Sequence, residues 1–155
     1  KRIDGKTAQL FMLSCMMGER FTEMGELERA RHIGNSIGMA FQLLDDILDY
    51  EVTSDQFGKP VLEDVAQGIY TMPLISALPK AEKELLPLLE KRNQLTEADR
   101  LRIQKVVRDA GGVESAKDYA AKYTMKAIHQ IEKLPEANAK AMLLEITRQL
   151  LERKS

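Results

Sequence analysis

Hydrophobic and polar positions repeat with helical spacing along almost the whole chain. No stretch of alternating apolar and polar residues is long enough to indicate a β-strand, so the pattern predicts an all-α fold. Helices are predicted at residues 6–18, 26–50 and 62–66, in a segment that begins after Thr71, and at 81–91, 97–110, 113–134 and 136–153. Because no repeat, low-complexity stretch or linker separates them, the pattern predicts one helical domain over residues 1–155.

Two of these helices carry recognisable start signals. Thr71 is a suitable N-cap residue, and Pro73 stands in the first turn, where a missing N–H costs nothing. Thr96 is followed three residues later by Asp99, a pattern close to a capping box. The sequence therefore predicts helix starts at both threonines.

The second helix ends in the segment FQLLDDILDYE, residues 41–51, which sets aspartates into an apolar run. At about 100° per residue, Gln42, Asp45, Asp46 and Asp49 share an arc of about 100°. The apolar residues of the same helix fall on the other side: Ala30, Ile33, Ile37, Ala40, Phe41, Leu44, Ile47 and Leu48. We therefore expect one apolar face, and one carboxylate face directed at a cavity.

Two glycines interrupt the same helix. Gly34 and Gly38 each lower intrinsic helicity by up to about 1 kcal/mol relative to alanine. We therefore expect a neighbouring helix or a ligand to pack closely against them.

The aspartates allow two interpretations: a hydrated acidic surface or a cation site. Carboxylates on adjacent turns lie about 5–6 Å apart, and each like-charge pair costs about 3 kcal/mol at an effective dielectric constant of about 20. No Lys or Arg occurs from residue 34 to residue 56, although the chain contains 23 of them. Oxygen ligands without His or Cys suit Mg²⁺, which keeps several waters and bridges to phosphates. Lys6, followed by Thr7, and Lys59 flank the segment as candidate phosphate ligands, although each lysine alone is also typical of an ordinary surface.

Composition excludes several other classes of protein. With 155 residues and a net charge of −1, the chain lacks the excess of basic residues that nucleic-acid binding requires. Its single cysteine, Cys15, excludes an internal disulfide and suits a reducing cytosol, so we expect a cytoplasmic protein. No apolar run approaches the length of a membrane span, and none is expected.

Three segments, in this order and spacing, carry a family resemblance: GKTAQLF, GMAFQLLDDILDY and FGKPVLEDVAQGIYTMPLISAL. Together they resemble the second half of an all-trans polyprenyl diphosphate synthase, strongly over residues 6–78 and more loosely over 81–155. The third segment contains Asp64, Gly68, Thr71 and Pro73 in the family's D-x-x-x-G-x-x-T-x-P pattern. The chain is most similar to long-chain synthases, including the larger subunit of two-component heptaprenyl synthases. The resemblance implies the C-terminal helices of an isoprenoid synthase-type bundle.

The resemblance also implies roles for the candidate residues. Asp45, Asp46 and Asp49 would bind Mg²⁺, with Asp45 as a direct ligand, while Lys6, Thr7, Gln42 and Lys59 would hold a substrate diphosphate. Catalytic roles would fall to Lys6, Thr7, Gln42 and Asp45. The implied reaction condenses isopentenyl diphosphate with an allylic diphosphate, in a homodimer or in a heterodimer with a small subunit.

The family's first aspartate-rich motif and its isopentenyl diphosphate pocket do not occur in these residues. We therefore expect the N-terminal half of the catalytic domain to be missing, and the 155 residues alone to lack prenyl transfer activity. Two alternatives remain at this stage: a noncatalytic helical subunit or scaffold of a heteromeric synthase, and a terpene cyclase that shares the helical fold.

Overall fold

The computed structural model describes residues 7–20, 25–52 and 61–151. These residues form seven α-helices: α1 (Gln9–Arg20), α2 (Leu27–Glu51), α3 (Glu63–Ala66), α4 (Met72–Leu89), α5 (Glu97–Asp109), α6 (Gly112–Glu132) and α7 (Asn138–Leu151). A single 3₁₀ turn at Arg92–Gln94 connects α4 to α5. Since the described ranges contain no β-strand, the prediction of an all-α fold is confirmed.

Helix α4 consists of two helical segments. A new helix is predicted to begin at residue 81, and the backbone of Met72–Leu89 leaves helical geometry at Ala81, where φ is −127° and ψ is 27°, so two helical segments meet at a kink there. The kink follows Pro79, whose ring clashes with the carbonyl of residue i−4 and which has no N–H to donate. The predicted start at residue 81 therefore coincides with this kink, and the second segment ends at Leu89 instead of Lys91.

The predicted capping box at the start of α5 is present. Oγ1 of Thr96 accepts from the backbone N–H of Asp99 at 3.2 Å, and Oδ2 of Asp99 accepts from the N–H of Thr96 at 3.0 Å. Lys91 Nζ donates to Oδ1 of Asp99 at 2.6 Å. Hydrogen bonds from Lys91 and from Thr96 lower the pKa of Asp99 to about 2.

Thr71 holds the N-cap position of α4, but its hydroxyl makes no capping hydrogen bond. The helix therefore begins where predicted, but the Thr71 hydroxyl does not cap it with a hydrogen bond. The Thr71 Oγ1 atom is instead buried beneath the helix start, without a partner of good hydrogen-bond geometry.

The helices belong to two compact units. The described residues before Leu43 and after Asp118 form the first unit, and Leu43–Asp118 form the second. The first has a buried cluster of Ile33, Ile37, Ala127 and Ile131. The second has a larger buried cluster that includes Ile47, Tyr50, Leu74, Leu85, Ile103 and Val107. The expectation of one domain over residues 1–155 stays a prediction.

Close packing of helices within the first unit explains the glycines of α2. A Cβ atom at Gly34 would lie 2.5 Å from Cα of Met12 and 2.5 Å from the carbonyl oxygen of Phe11. One at Gly38 would lie 2.5 Å from Cα of Ala8. Of the two predicted explanations, packing by a neighbouring helix is therefore confirmed, because α1 and the turn before it contact the glycine backbone.

Candidate metal centre

The three aspartates occupy the last turns of α2, in the second unit. Asp45 and Asp49 are partly exposed, whereas Asp46 is 8% exposed. The buried arc of the helix also includes Leu43 and Tyr50. Relative to the predicted apolar face, the buried arc is therefore shifted towards Asp46, which lies at its edge.

The opposite edge of the predicted apolar face shows the same shift. Phe41, Leu44 and Leu48 were expected to belong to the apolar face, yet each is only partly buried. Helical periodicity predicts the two sides of α2 correctly. It misplaces the boundary between them, because neighbouring helices determine which arc is covered.

Asp49 lies in a negative electrostatic environment. Burial raises the pKa of its carboxyl, and the nearby charges of Asp64, Asp45 and Glu63 raise this pKa further. Glu63 and Asp64 begin α3, so a second element contributes negative charge to the region of Asp49. A cation placed there would favour the ionised form of Asp49.

The contribution of α3 was not predicted as a functional feature. The sequence places Asp64 in a family pattern, but no local signal links Glu63 or Asp64 to Asp49. The pair ED at the start of EDVAQG was visible in the sequence, but its proximity to Asp49 depends on tertiary structure.

The donor set fits Mg²⁺ better than it fits a closed metal cage. Within residues 7–20, 25–52 and 61–151, no three His, Cys, Asp or Glu side chains converge into a group that could hold a metal ion. Mg²⁺ does not require such a group, because it retains waters and binds through one or two carboxylates together with substrate phosphates. Carboxylate oxygens on α2, with the negative charges of Asp45, Glu63 and Asp64 near Asp49, have the chemistry that such an ion needs.

Tyr50 is a buried neighbour of the aspartates that the sequence argument missed. Its side chain is 0% exposed. Burial raises the pKa of the phenol, the Thr71 side chain lowers it, and the charges of Asp49, Asp46 and Asp64 raise it, with a net shift upward. Tyr50 therefore stays neutral at physiological pH. The available signal was its position about 40° beyond Asp46 on the helical wheel.

The C-terminal end of α2 is held by side chains from α5 and α6. Nε2 of Gln104 donates to the carbonyl oxygen of Asp49 at 2.5 Å and to that of Val52 at 3.0 Å. Lys117 Nζ forms an ion pair with Oε1 of Glu51. No sequence pattern pointed to either contact, because Gln104 lies 55 residues beyond Asp49.

Thr7 and Gln42, two predicted diphosphate ligands, meet within the first unit. The Thr7 hydroxyl donates to Oε1 of Gln42 at 2.6 Å. Lys6 and Lys59, the two predicted lysine ligands, lie outside the described residues. The structure therefore brings together one predicted pair of polar ligands.

The first unit also contains an apolar pocket of about 410 Å³, lined by residues that include Cys15, Ala30, Ile33 and Leu143. Burial raises the pKa of the Cys15 thiol. Cys15 is therefore a protonated, partly buried side chain at neutral pH, as expected of core packing.

Comparison with known proteins identifies the family. The family model described as polyprenyl synthetase matches residues 1–109. The chain belongs to the polyprenyl synthetase family. This assignment favours the synthase pattern over the terpene cyclase alternative.

Named relatives support the assignment and show its extent. The chain is 31% identical to heptaprenyl diphosphate synthase component 2 of Bacillus subtilis, over 99% of this chain and 44% of the relative. It is 34% identical to a probable mitochondrial hexaprenyl pyrophosphate synthase of Neurospora crassa, over 96% of this chain and 33% of the relative. The chain thus spans a third to a half of the length of these relatives.

Solved structures of polyprenyl synthetase relatives share the fold. Geranylgeranyl pyrophosphate synthase of Lactobacillus brevis superposes with a TM-score of 0.89 at 40% identity, over 97% of this chain and 49% of that one. Heptaprenyl diphosphate synthase of Staphylococcus aureus gives a TM-score of 0.89 at 29% identity, over 99% and 49%. Among the helices of the described ranges, none is long and apolar enough to cross a membrane.

Proposed function

We propose that this chain supplies one metal-binding wall of a prenyltransferase site that extends an allylic diphosphate with isopentenyl diphosphate. The observation that carries the proposal is the set of aspartates in the last turns of α2, with the negative charges of Glu63 and Asp64 of α3 near Asp49. Membership of the polyprenyl synthetase family supplies the reaction class.

The proposed roles follow from the chemistry of each side chain. Asp45 is a direct Mg²⁺ ligand, and Asp46 and Asp49 act directly or through bound water. Thr7 and Gln42, already joined by a hydrogen bond, orient a diphosphate oxygen. Lys6 and Lys59 supply positive charge to the same diphosphate, as the family resemblance implies.

The proposed reaction breaks the C–O bond of the allylic diphosphate, and diphosphate leaves with the electron pair. The double bond of isopentenyl diphosphate attacks the allylic carbon, and loss of one proton gives a product longer by five carbons. When bound, Mg²⁺ stabilises the charge that develops on the departing diphosphate. The chain's own side chains hold that diphosphate in place. The reaction requires no nucleophilic residue of the enzyme.

Partner and location are also part of the proposal. The B. subtilis relative is named as component 2 of its synthase, so we propose that this chain works with a second subunit or a second copy of a synthase chain. We also propose a cytoplasmic location, which the single cysteine of the sequence supports.

The test is a chimera in which this chain replaces the 49% of the L. brevis synthase that it matches. Allylic primer and radiolabelled isopentenyl diphosphate are supplied with Mg²⁺, and chain elongation is measured. Asp45→Asn should lower kcat/KM by about a hundredfold or more, because one carboxylate ligand becomes a neutral amide. Asp118→Asn is the matched control, since Asp118 is an exposed aspartate of α6.

A folded chimera that elongates no primer would contradict the proposed function and favour the noncatalytic subunit. Equal activity of Asp45→Asn and Asp118→Asn would remove Asp45 from the metal site.

A further inference from the structure

The aspartate-bearing end of α2 is tied to α5 by one buried side chain. Gln104 is 2% exposed, and its amide nitrogen reaches the carbonyl oxygens of Asp49 and Val52 at 2.5 and 3.0 Å. We infer that Gln104 is a positioning residue for the candidate metal site, holding the backbone of Asp49 so that its carboxylate stays directed at the metal. The inference rests on the proposed function.

The contact uses the full donor capacity of the amide nitrogen. The last four carbonyls of an α-helix have no partner inside the helix, and a buried carbonyl without a partner is costly. The side-chain nitrogen of glutamine carries two N–H donors, and here they reach two carbonyls. Gln104 thus supplies partners for two carbonyls in the terminal turn that carries Asp49.

A second interaction with this turn, an ion pair, is weaker because it is exposed to solvent. Lys117 pairs with Glu51, but the Lys117 side chain is 50% exposed, and exposed ion pairs contribute little. The hydrogen bonds of Gln104 are shielded from water, so they are the stronger constraint on the turn.

The constraint matters because the charges around Asp49 oppose its position. Asp45 on α2 and the two acidic residues that begin α3, Glu63 and Asp64, place negative charge near the Asp49 carboxylate. A terminal turn without backbone partners could relax by rotating the Asp49 carboxylate away from this repulsion. Gln104 prevents that relaxation, so the carboxylate is already in place before a cation arrives.

The test compares Gln104→Met and Gln104→Glu with Gln94→Met. Methionine keeps the size of glutamine without its donors, and glutamate keeps the shape but offers only acceptors when ionised. Gln94 is exposed in the 3₁₀ turn, so it controls for the same chemical change in the same unit. All three variants are made in this chain and in the L. brevis chimera.

The first readout is hydrogen exchange of this chain. Both Gln104 variants should exchange faster in residues 45–52, while α6 and the Gln94→Met chain keep their protection. Unchanged exchange at residues 45–52, or unfolding of the whole chain by Gln104→Met, would overturn the positioning role.

The second readout is the Mg²⁺ concentration that half-activates the chimera. Gln104→Met should raise it about tenfold or more, a size typical of partners that orient a metal ligand, while KM for the allylic primer stays within about threefold. In an Asp49→Asn background the same change should add less than about twofold, since the effect passes through Asp49.

The outcomes separate this inference from the proposed function. An inactive chimera with Gln104 intact contradicts the proposed function and removes the basis of the inference. An active chimera whose Mg²⁺ requirement is the same with Gln104→Met contradicts the inference alone, as does an equal rise in the Asp49→Asn background.

Discussion

The hydroxyl of Thr7 donates a 2.6 Å hydrogen bond to Oε1 of Gln42 across 35 residues of sequence. This bond joins the turn before α1 to α2 within the first unit. We expect Thr7→Val, which keeps the shape and removes the donor, to lower the free energy of unfolding by about 1 kcal/mol.

A double-mutant cycle checks whether that loss comes from the bond to Gln42. Thr7→Val, Gln42→Met and the double variant are compared by urea unfolding, with Thr7→Ser as the variant that keeps the hydroxyl. A coupling energy of about 1 kcal/mol is expected, and additive effects of the two substitutions would show that the bond contributes nothing measurable.

The close approach of α1 to α2 predicts opposite effects for two glycine substitutions. Gly34→Ala should lower the free energy of unfolding by about 1–3 kcal/mol, because its Cβ would lie 2.5 Å from backbone atoms of Met12 and Phe11. Gly18→Ala, inside α1 with open space around it, should raise the free energy by up to about 1 kcal/mol. Thermal or urea unfolding of the two variants tests this prediction. A stabilising Gly34→Ala would contradict the close packing of α1 against Gly34.

The surroundings of Asp49 predict that removing its charge stabilises the metal-free chain. The folded state raises the pKa of Asp49, so it binds a proton more tightly than the unfolded state does. The ionised group is therefore destabilising at neutral pH, and this effect disappears as the pH falls through the raised pKa.

We expect Asp49→Asn to raise the free energy of unfolding at pH 7 in EDTA by about 0.5 kcal/mol, since Asp49 is partly exposed and solvent screens the repulsion. The difference from wild type should shrink as the pH is lowered. Asp118→Asn serves as the control, and a destabilising Asp49→Asn at pH 7 would mean that other contacts of the carboxylate outweigh the repulsion.

Asp99 predicts the opposite pH dependence. Its pKa is lowered to about 2 by Lys91 and Thr96, so its ionised form stabilises the fold above the ordinary aspartate pKa of 3.8. That stability is lost as the pH falls from about 4 to about 2. Asp99→Asn should therefore be less stable than wild type at pH 7, and the two chains should converge near pH 2.

Unfolding midpoints of wild type, Asp99→Asn and Asp118→Asn, measured at intervals from pH 7 to pH 2, test this expectation. A difference in stability between wild type and Asp99→Asn that stays constant with pH would show that the stabilising contribution of Asp99 does not depend on its charge.

Local signals in the sequence predicted the features that depend on local chemistry. The capping box of Thr96 and Asp99 could be predicted because both partners lie within four residues of each other. The helical wheel separated Asp45 and Asp49 from the apolar side of α2, because helical periodicity depends only on spacing.

Features set by tertiary contacts could not be predicted. Gln104 looks like an ordinary polar residue of an amphipathic helix, and nothing local indicates that it reaches Asp49. Which arc of α2 is covered, and hence the burial of Asp46 and Tyr50, also depends on neighbouring helices.

The partly buried thiol of Cys15 gives this chain an intrinsic reporter. It is the only cysteine in the sequence, and it packs against the buried cluster of Ile33, Ile37, Ala127 and Ile131. A thiol whose pKa is raised by burial alkylates slowly, and faster only when its surroundings open. The rate at which iodoacetamide labels Cys15 therefore follows local opening of the first unit, without any engineered probe.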